Sequence, residues 1–182
     1  MLAYVEEHLQ PGAAVGTETW IAYARGLDTA FATHRRKVGL DQQEGCTSHI
    51  STVDGEGNMV ALTYTLLNRF GSGVVLPQTG ILMNNAVAYF DPRPGKPVSL
   101  GGGRRINSSN MCPTIATRNG EALFAVGASG ANHIVPCTAQ LTALMLDYGL
   151  SLEEAFHTPR VDASARGSVR VDPAMGAAAL AE

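Results

Sequence analysis

Two stretches near the N-terminus have the spacing of apolar residues that is typical of helices. Residues 2–9 predict a short helix that ends before Pro11-Gly12. In the next stretch, four apolar residues recur at intervals of three or four and therefore share one helix face: Trp20, Ala24, Leu27 and Phe31. A basic run at residues 35–37 suits the C-terminal end of a helix dipole. We therefore predict a second helix over residues 18–37.

From residue 47 the pattern changes to the alternation of polar and apolar residues that is typical of β-strands. Segments 47–54 and 58–66 flank a three-residue loop, and its last residue, Gly57, suits the left-handed conformation of such hairpin loops. Pairing Asp54 with Asn58 fixes the register and sets Thr47 opposite Thr65. The even-numbered residues 60–66 of the second strand then form the opposite, apolar face.

The remaining elements predict antiparallel sheet covered by helices, the α+β class. Residues 71–107 are glycine-rich and irregular, and such a long stretch inside a compact domain is usually either functional or disordered. A second hairpin is predicted around Asn119-Gly120, and its apolar second arm is expected to be buried on both faces. Helices are predicted over residues 136–148 and after the capping box that begins at Ser151. The alanine-rich tail after residue 172 is also expected to be helical.

Composition narrows the class of protein. Of the 182 residues, 45% are hydrophobic and 16% are charged, and the formal net charge is −3. This balance excludes a disordered tail and a polycationic surface for nucleic acid. No apolar run approaches the length of about 20 residues that a membrane span needs. The three cysteines form neither a disulfide framework nor a CxxC pair. The first residues lack signal-peptide features, so the chain is cytoplasmic or begins after a missing piece.

Thr47 is the strongest candidate for a catalytic residue. A threonine hydroxyl is a weak nucleophile unless a base lies beside it, and the α-amine of an N-terminal threonine is one such base. Cleavage between Cys46 and Thr47 would free an amine with a pKa of about 8, so a useful fraction would be neutral near pH 7. Paired threonines are also ordinary strand residues. The spacing alone therefore leaves a catalytic and a structural interpretation open.

Three further features have both a functional and a structural interpretation. Gly130 stands between a buried strand and a helix, where consecutive backbone N–H groups can hold an oxyanion, but glycine is also the usual residue of a plain turn. His49 shares the face of Thr47, and structural hydrogen bonding explains it at least as well as catalysis. The glycine run at residues 101–103 lacks the spacing of a phosphate-binding loop.

The order of several segments resembles one known family. These segments are TSHISTVDGEGNMVALTYTL, FGSGVV, TGILMNN, FDPRPG, NMCPTI, GASGAN and DYGLSLEEAFHTPR. Over residues 17–172 the chain resembles the catalytic small-subunit region of the γ-glutamyltranspeptidase (glutathione hydrolase) family, in the N-terminal-nucleophile (Ntn) hydrolase superfamily. The resemblance implies an αββα sandwich, incomplete in this chain, with antiparallel sheets covered by helices. Residues 1–46 then correspond to the end of a large-subunit-like helical region and linker, and residues 47–182 to a small-subunit-like catalytic region truncated at its C-terminus.

The resemblance also implies an activity. A precursor cuts itself before Thr47, and Thr47 then attacks a γ-glutamyl amide and passes the acyl group to water or to an amino acid. The resemblance implies roles for five further residues: Thr65 as hydrogen-bond partner of the nucleophile, Gly130 and Ala131 as backbone oxyanion donors, and Ser109 and Asn110 as contacts of the substrate carboxylate. Asn110 places an amide where relatives have a second serine. No metal or organic cofactor is implied.

Two departures from the family pattern change the expectation. The residues that bind the substrate α-amino group in the family correspond to Leu67, Ala86 and Tyr89, which predicts weak activity on glutathione and preference for another acyl group. Most of the large subunit would precede residue 1, so we expect a large-subunit-like segment or second chain as partner, and an apolar side of helix 18–37 that is exposed without it. An acylase of non-glutamyl amides and an inactive fragment that acts only by association remain as alternatives.

Overall fold

The computed structural model describes residues 2–9, 14–38, 46–90, 93, 110–165 and 167–177. The helices are α1 (Leu2–His8), α2 (Thr17–Val38), α3 (Ile134–Leu146) and α4 (Leu152–His157). The strands are β1 (Thr47–Val53), β2 (Met59–Thr65), β3 (Thr114–Arg118), β4 (Glu121–Val126), β5 (Val161–Asp162) and β6 (Arg170–Val171), and they pair in sequence order as three antiparallel two-stranded sheets. The chain divides into two compact units, Met1–Thr33 with Val135–Glu182, and His34–Ile134.

The helices form the core of the first unit. α2 buries Trp20, Tyr23 and Leu27, which are 7%, 1% and 1% exposed, and α3 buries Leu141 and Leu144. The Tyr148 hydroxyl, just beyond α3, donates a hydrogen bond of 3.5 Å to the Thr19 hydroxyl on α2. The expectation that the apolar side of helix 18–37 is exposed is therefore wrong for these three side chains, because the C-terminal part of the chain packs beside them.

A buried amide ties α3 to β5. The Gln140 side chain is 1% exposed, and its nitrogen donates to the carbonyl oxygens of Pro136 (2.9 Å) and Val161 (2.7 Å). Its oxygen accepts a hydrogen bond of 3.0 Å from the Val161 N–H. Gln140 thus satisfies both backbone groups of a strand residue that is itself 3% exposed.

The predicted capping box opens α4. The Ser151 hydroxyl accepts a hydrogen bond from the Glu154 N–H (3.3 Å), and the Glu154 carboxylate accepts one from the Ser151 N–H (2.8 Å). The bonds from Ser151 hold the pKa of the Glu154 carboxyl below its ordinary value. Beyond β6, residues Pro173–Met175 form a 3₁₀ turn, and residues 178–182 of the predicted helical tail lie outside the described residues.

The second unit contains the two predicted hairpins. In β1–β2 the observed register runs from Thr47 opposite Thr65 to Val53 opposite Met59, as predicted. Gly57 has φ +85°, the left-handed conformation that the loop requires. The Asp54 carboxylate accepts hydrogen bonds from the Asn58 side chain (2.8 Å) and from its N–H (2.9 Å), and these bonds lower the pKa of Asp54. The turn chemistry therefore holds the register on which the position of Thr47 depends.

The second hairpin turns at Asn119 and Gly120, with φ +55° and +86°, the two positive φ angles of a type I′ turn. Its second arm does not have the predicted burial on both faces. Leu123 is 41% exposed, whereas Val126 is buried. The error arises because an all-apolar strand is buried on both faces only where the fold supplies two covering layers, and nothing among the described residues covers Leu123.

The apolar face of β1–β2 is open to solvent over the described residues. Four of its side chains are 47–58% exposed: Ile50, Val60, Leu62 and Tyr64. In the predicted irregular segment, Val75 and Leu82 form an isolated bridge and residues Ala86–Tyr89 a 3₁₀ turn, while residues 91–109, apart from Arg93, lie outside the description. No helix among the described residues has the length and hydropathy needed to cross a membrane.

We expect Gln140→Leu to lower the free energy of unfolding by about 2 to 6 kcal/mol, because the N–H and C=O of Val161 would both stay buried without a partner, at about 1–3 kcal/mol each. Urea unfolding followed by circular dichroism measures the loss. Glu153→Gln, on an exposed part of α4, is the matched control and should change the unfolding free energy by less than about 0.5 kcal/mol. Equal stability of the two variants would contradict a structural role for the Gln140 amide.

Candidate active site

Thr47 and Thr65 face each other at the end of the first hairpin, as the register predicts. Ladder hydrogen bonds link Leu66 to Cys46 (3.2 Å) and Asp54 to Asn58 (3.1 Å). Because such pairs alternate along an antiparallel ladder, Thr47–Thr65 is a non-hydrogen-bonded pair, in which the Cα atoms are about 4.5 Å apart and the side chains are closest. The two hydroxyl-bearing side chains thus meet on one half-buried face.

The carbonyl group that precedes Thr47 receives two hydrogen bonds. The Cys46 carbonyl oxygen accepts one from the Thr65 hydroxyl (3.0 Å) and one from the Leu66 N–H (3.2 Å). The Thr65 hydroxyl in turn accepts a hydrogen bond from the Leu67 N–H (3.0 Å). Two donors at one carbonyl oxygen favour the addition of a nucleophile to its carbon, because negative charge then develops on that oxygen.

An irregularity just beyond the end of β2 sets up this arrangement. Leu66 donates to the Cys46 carbonyl, and the Cys46 N–H donates to the Leu67 carbonyl (3.0 Å), so two consecutive residues pair with one. This is the pattern of a β-bulge, a feature that often lies beside active sites and re-aims the chain. Leu67 has φ +70°, which is uncommon for a residue with a side chain. The sequence gives no sign of either feature, since both concern backbone groups of ordinary leucines.

Gly130 and Ala131 present two adjacent backbone N–H groups. Gly130 has φ +120° and Ala131 has φ +51°, at the start of a 3₁₀ turn over Ala131–His133. Within the part of the chain that the structure describes, neither N–H donates a hydrogen bond. Successive N–H groups in such a turn form a concavity that suits an anionic oxygen. The left-handed conformation of Ala131 costs about 1–2 kcal/mol relative to a right-handed one.

The predicted carboxylate contacts are only partly described. Ser109 lies outside the described residues, and Asn110 is half-buried, four positions before β3 begins at Thr114. The pairing of these two side chains around a substrate carboxylate therefore stays a prediction.

The three positions of the expected amine site lie on two segments that Asn85 joins. The Asn85 N–H donates to the Leu66 carbonyl (3.2 Å), and its side-chain oxygen accepts a hydrogen bond from the Asn68 N–H (3.1 Å). Leu67 is on the first segment, and the second carries Ala86 and Tyr89 at the two ends of a 3₁₀ turn. Burial raises the pKa of the Tyr89 hydroxyl, so the phenol is neutral. None of the three side chains therefore offers a negative charge to an ammonium group.

His49 uses both ring nitrogens in contacts with hydroxyl groups. Its Nδ1 lies 2.7 Å from the Thr63 hydroxyl oxygen and its Nε2 lies 2.9 Å from the Ser51 hydroxyl oxygen. A hydroxyl can donate or accept, so either neutral tautomer is satisfied. The structural interpretation of His49 therefore agrees with its observed hydrogen bonds.

Curated relatives share this part of the chain. The chain is 36% identical over 153 residues to the acylase ACY 1 proenzyme of Pseudomonas sp. strain SE83, covering 78% of this chain and 27% of that protein. It is 37% identical over 156 residues to the glutathione hydrolase proenzyme of Escherichia coli K12, covering 76% of this chain and 27% of that protein. The chain thus spans about a quarter of the length of these relatives.

Solved structures agree with the fold. The chain resembles the γ-glutamyltranspeptidase of Pseudomonas nitroreducens complexed with L-DON, with a TM-score of 0.52 and 35% identity over 63% of this chain and 64% of that one. It resembles the T380A mutant of Helicobacter pylori γ-glutamyltranspeptidase with a TM-score of 0.53 and 30% identity over 63% and 67% of the two chains. The expected Ntn-hydrolase fold, α+β with antiparallel sheets and incomplete in this chain, is thereby confirmed.

The sequence profile of the γ-glutamyltranspeptidase family matches residues 3–182, nearly the whole chain. The resemblance carried by the segments around Thr47, Gly130 and Ser151 is thus confirmed, and the chain belongs to the γ-glutamyltranspeptidase family.

Proposed function

We propose that this chain is the catalytic part of a γ-glutamyltranspeptidase-like hydrolase and acyltransferase that cuts itself before Thr47 and then uses Thr47 as its nucleophile. One observation carries the proposal: the Cys46 carbonyl oxygen accepts hydrogen bonds from the Thr65 hydroxyl and the Leu66 N–H, directly across the hairpin from Thr47. Both curated relatives described above are proenzymes, which supports a processing step.

Self-cleavage begins when the Thr47 hydroxyl oxygen attacks the carbonyl carbon of Cys46. Negative charge develops on the carbonyl oxygen, where Thr65 and Leu66 donate. The C–N bond then breaks, the Cys46 acyl group passes to the Thr47 oxygen as an ester, and the nitrogen takes up a proton as the free α-amine. Water hydrolyses the ester and releases Cys46 as a carboxylate.

The same hydroxyl of Thr47 then attacks the substrate amide. Its freed amine accepts the hydroxyl proton, as in other N-terminal-threonine nucleophiles. The tetrahedral oxyanion lies against the N–H groups of Gly130 and Ala131, which are not engaged by the described residues. The leaving amine takes the proton from the α-ammonium, and water or an amino acid later removes the acyl group from Thr47.

The boundary at Cys46–Thr47 divides the chain into residues 1–46, the end of a large-subunit-like region, and residues 47–182, the small-subunit-like catalytic region. The open apolar face of β1–β2, including Leu62 and Tyr64, supports a large-subunit-like segment or second chain as partner. We assign Ser109 and Asn110 to the carboxylate of the substrate. The hydroxyl and the amide can both donate hydrogen bonds to it.

A second candidate activity is hydrolysis of a non-glutamyl amide. The observation that favours it is the uncharged character of Leu67, Ala86 and Tyr89, because an ammonium group placed among them would lose hydrogen bonds worth about 1.5–3 kcal/mol each. The 36% identity with an acylase is consistent with this candidate. The two candidates share Thr47 and the self-cleavage step and differ only in the acyl group.

The self-cleavage is tested with Thr47→Ala and Thr65→Val in the full-length protein. In the wild type, cleavage after residue 46 divides these 182 residues into parts of 46 and 136, and amino-terminal sequencing of the cut chain should begin at Thr47. Thr47→Ala should stay uncut. Thr65→Val, which keeps the shape and removes the hydroxyl donor, should slow cleavage by about 100- to 1,000-fold.

Thr65→Ser is the matched control, since it keeps the hydroxyl and should cleave within about tenfold of the wild type, whereas loss of one oxyanion donor costs at least about 100-fold. A single uncut band for the wild type, or cleavage of Thr65→Val at the wild-type rate, would contradict the proposed processing step.

The oxyanion role of Ala131 needs its N–H and not its methyl group. We expect Ala131→Gly to keep kcat within about twofold and to leave the free energy of unfolding equal or higher by up to about 1 kcal/mol, because glycine removes the cost of the left-handed conformation. Ala131→Val, which branches at Cβ and disfavours a positive φ, should be destabilised. Steady-state kinetics with a chromogenic amide and thermal unfolding measure the two effects. A tenfold fall in kcat for Ala131→Gly would assign the contribution to the methyl group instead.

The acyl preference is tested with two anilides that differ only in the α-amine, γ-glutamyl anilide and glutaryl anilide. The wild type should turn over the glutaryl compound faster. Leu67→Asn should raise kcat/KM for the γ-glutamyl compound by about 10- to 100-fold, the equivalent of one hydrogen bond to a charged group. Asparagine also tolerates the positive φ at position 67. Leu67→Ala is the control, because it removes the leucine side chain without adding a hydrogen-bonding group. A wild type that prefers the γ-glutamyl anilide would contradict the altered amine site.

A further inference from the structure

Gly127 lies in direct contact with the ring of His49. A Cβ added at Gly127 would collide with three atoms of that imidazole, including Nε2 at 2.7 Å. Real Cβ atoms essentially never come this close to another heavy atom. Gly127 is also the first residue after β4, which ends at Val126. The absence of a side chain at this position is therefore what allows the ring to lie against the backbone.

The His49 ring is fixed on its other sides. Thr63, directly opposite His49 in the hairpin, contacts Nδ1 at 2.7 Å, and Ser51 contacts Nε2 at 2.9 Å. Two hydroxyl contacts and one backbone contact hold the plane of the ring. Both ring nitrogens thus contact the hydroxyl groups of Thr63 and Ser51, and not that of Thr47. The position of the ring makes it a spacer between β1 and the segment that follows β4.

The contact connects the two parts of the candidate active site along the chain. His49 is two residues after Thr47 on the same strand face, about 6.5–7 Å along β1. Gly127 is three residues before Gly130, at the start of the segment that carries the proposed oxyanion donors. Both residues belong to the second unit. A fixed distance between His49 and Gly127 therefore limits the distance between the nucleophile and the donors.

We propose that His49 is a positioning residue, whose ring against Gly127 holds the strand of Thr47 at a fixed distance from the oxyanion segment 127–131. The proposal rests on the proposed function for its activity readout. His49 acts through the Gly127 backbone and does not touch the reacting atoms. The contact affects the transition state, where the oxyanion must meet its donors, more than it affects substrate binding, so kcat should change and KM should not.

The proposal is tested in the full-length protein by enlarging the side chain at position 127 and shrinking the one at position 49. Gly127→Ala should lower kcat on a chromogenic amide by about 100-fold, the scale of a displacement of about 1 Å at a reaction centre, with KM changed less than threefold. His49→Ala should lower kcat by about tenfold, because it removes the ring and its hydrogen bonds but forces no atoms to collide. The double variant His49→Ala/Gly127→Ala should be at least tenfold faster than Gly127→Ala alone, since the added methyl group then has room.

Gly55→Ala is the matched control, because a Cβ at Gly55 meets nothing within 4 Å, and its kcat should equal that of the wild type. A double variant as slow as the product of the two single effects, or Gly127→Ala with wild-type kcat, would overturn the proposal. The proposal would also be overturned if kcat and thermal stability fell together in all variants and the double variant were no faster than Gly127→Ala. His49 would then have only a structural role.

If the proposed function is wrong, the measurements differ from those expected when only the role of His49 is wrong. A wild type that neither cuts itself nor turns over an amide contradicts the proposed function before any variant is compared. The contact is then tested by unfolding alone, where the two substitutions should be non-additive, with the double variant more stable than Gly127→Ala. Additive effects on the unfolding midpoint would reject the contact itself.

Discussion

The register of the first hairpin is the constraint on which the candidate site depends. A shift by one residue would move Thr47 to the apolar face, because successive side chains alternate between the faces of a strand. The same register sets Thr65 opposite Thr47 and Thr63 opposite His49, so it provides both the hydroxyl pair and the partner of the imidazole. The register is set at the far end by Asp54, whose carboxylate holds the turn through Asn58. A local turn thus controls the geometry of a site that lies seven residues away from it along each strand.

Much of the first hairpin and of the other local elements could be predicted from the sequence. The signals are apolar residues that repeat with a fixed period, and residue types that suit one backbone conformation. Alternation defined β1 and β2, Gly57 and Asn119-Gly120 defined the turns, and the Ser151 capping box defined the start of α4. These signals act over a few residues, so no knowledge of the tertiary structure is needed to recognise them.

The features that the sequence did not reveal depend on backbone groups or on distant neighbours. The Leu66 N–H and the left-handed Leu67 leave no mark on residue type, because leucine is common in regular strands. The contact of His49 with Gly127 joins positions 78 residues apart, and a glycine after a strand is ordinary in sequence. The burial of Trp20 and the exposure of Leu123 likewise depend on which part of the chain packs beside each element. The spacing of apolar residues shows that one face of an element is apolar, but it does not show which part of the chain covers that face.

The Thr65 hydroxyl imposes an order on the proposed chemistry, since it carries one proton. In the uncut chain that proton is donated to the Cys46 carbonyl, while the hydroxyl oxygen accepts from the Leu67 N–H. It therefore cannot also donate to the Thr47 oxygen as long as Cys46 stays in place. Cleavage removes the carbonyl acceptor and frees the donor at the moment when Thr47 gains its amine. The Thr65 hydroxyl thus stabilises the oxyanion during self-cleavage and later donates to the Thr47 nucleophile during acyl transfer. The first role must end before the second begins. The hydrogen bond from the Leu67 N–H to the Thr65 hydroxyl needs no residue of the departing segment, so it can orient the hydroxyl both before and after cleavage.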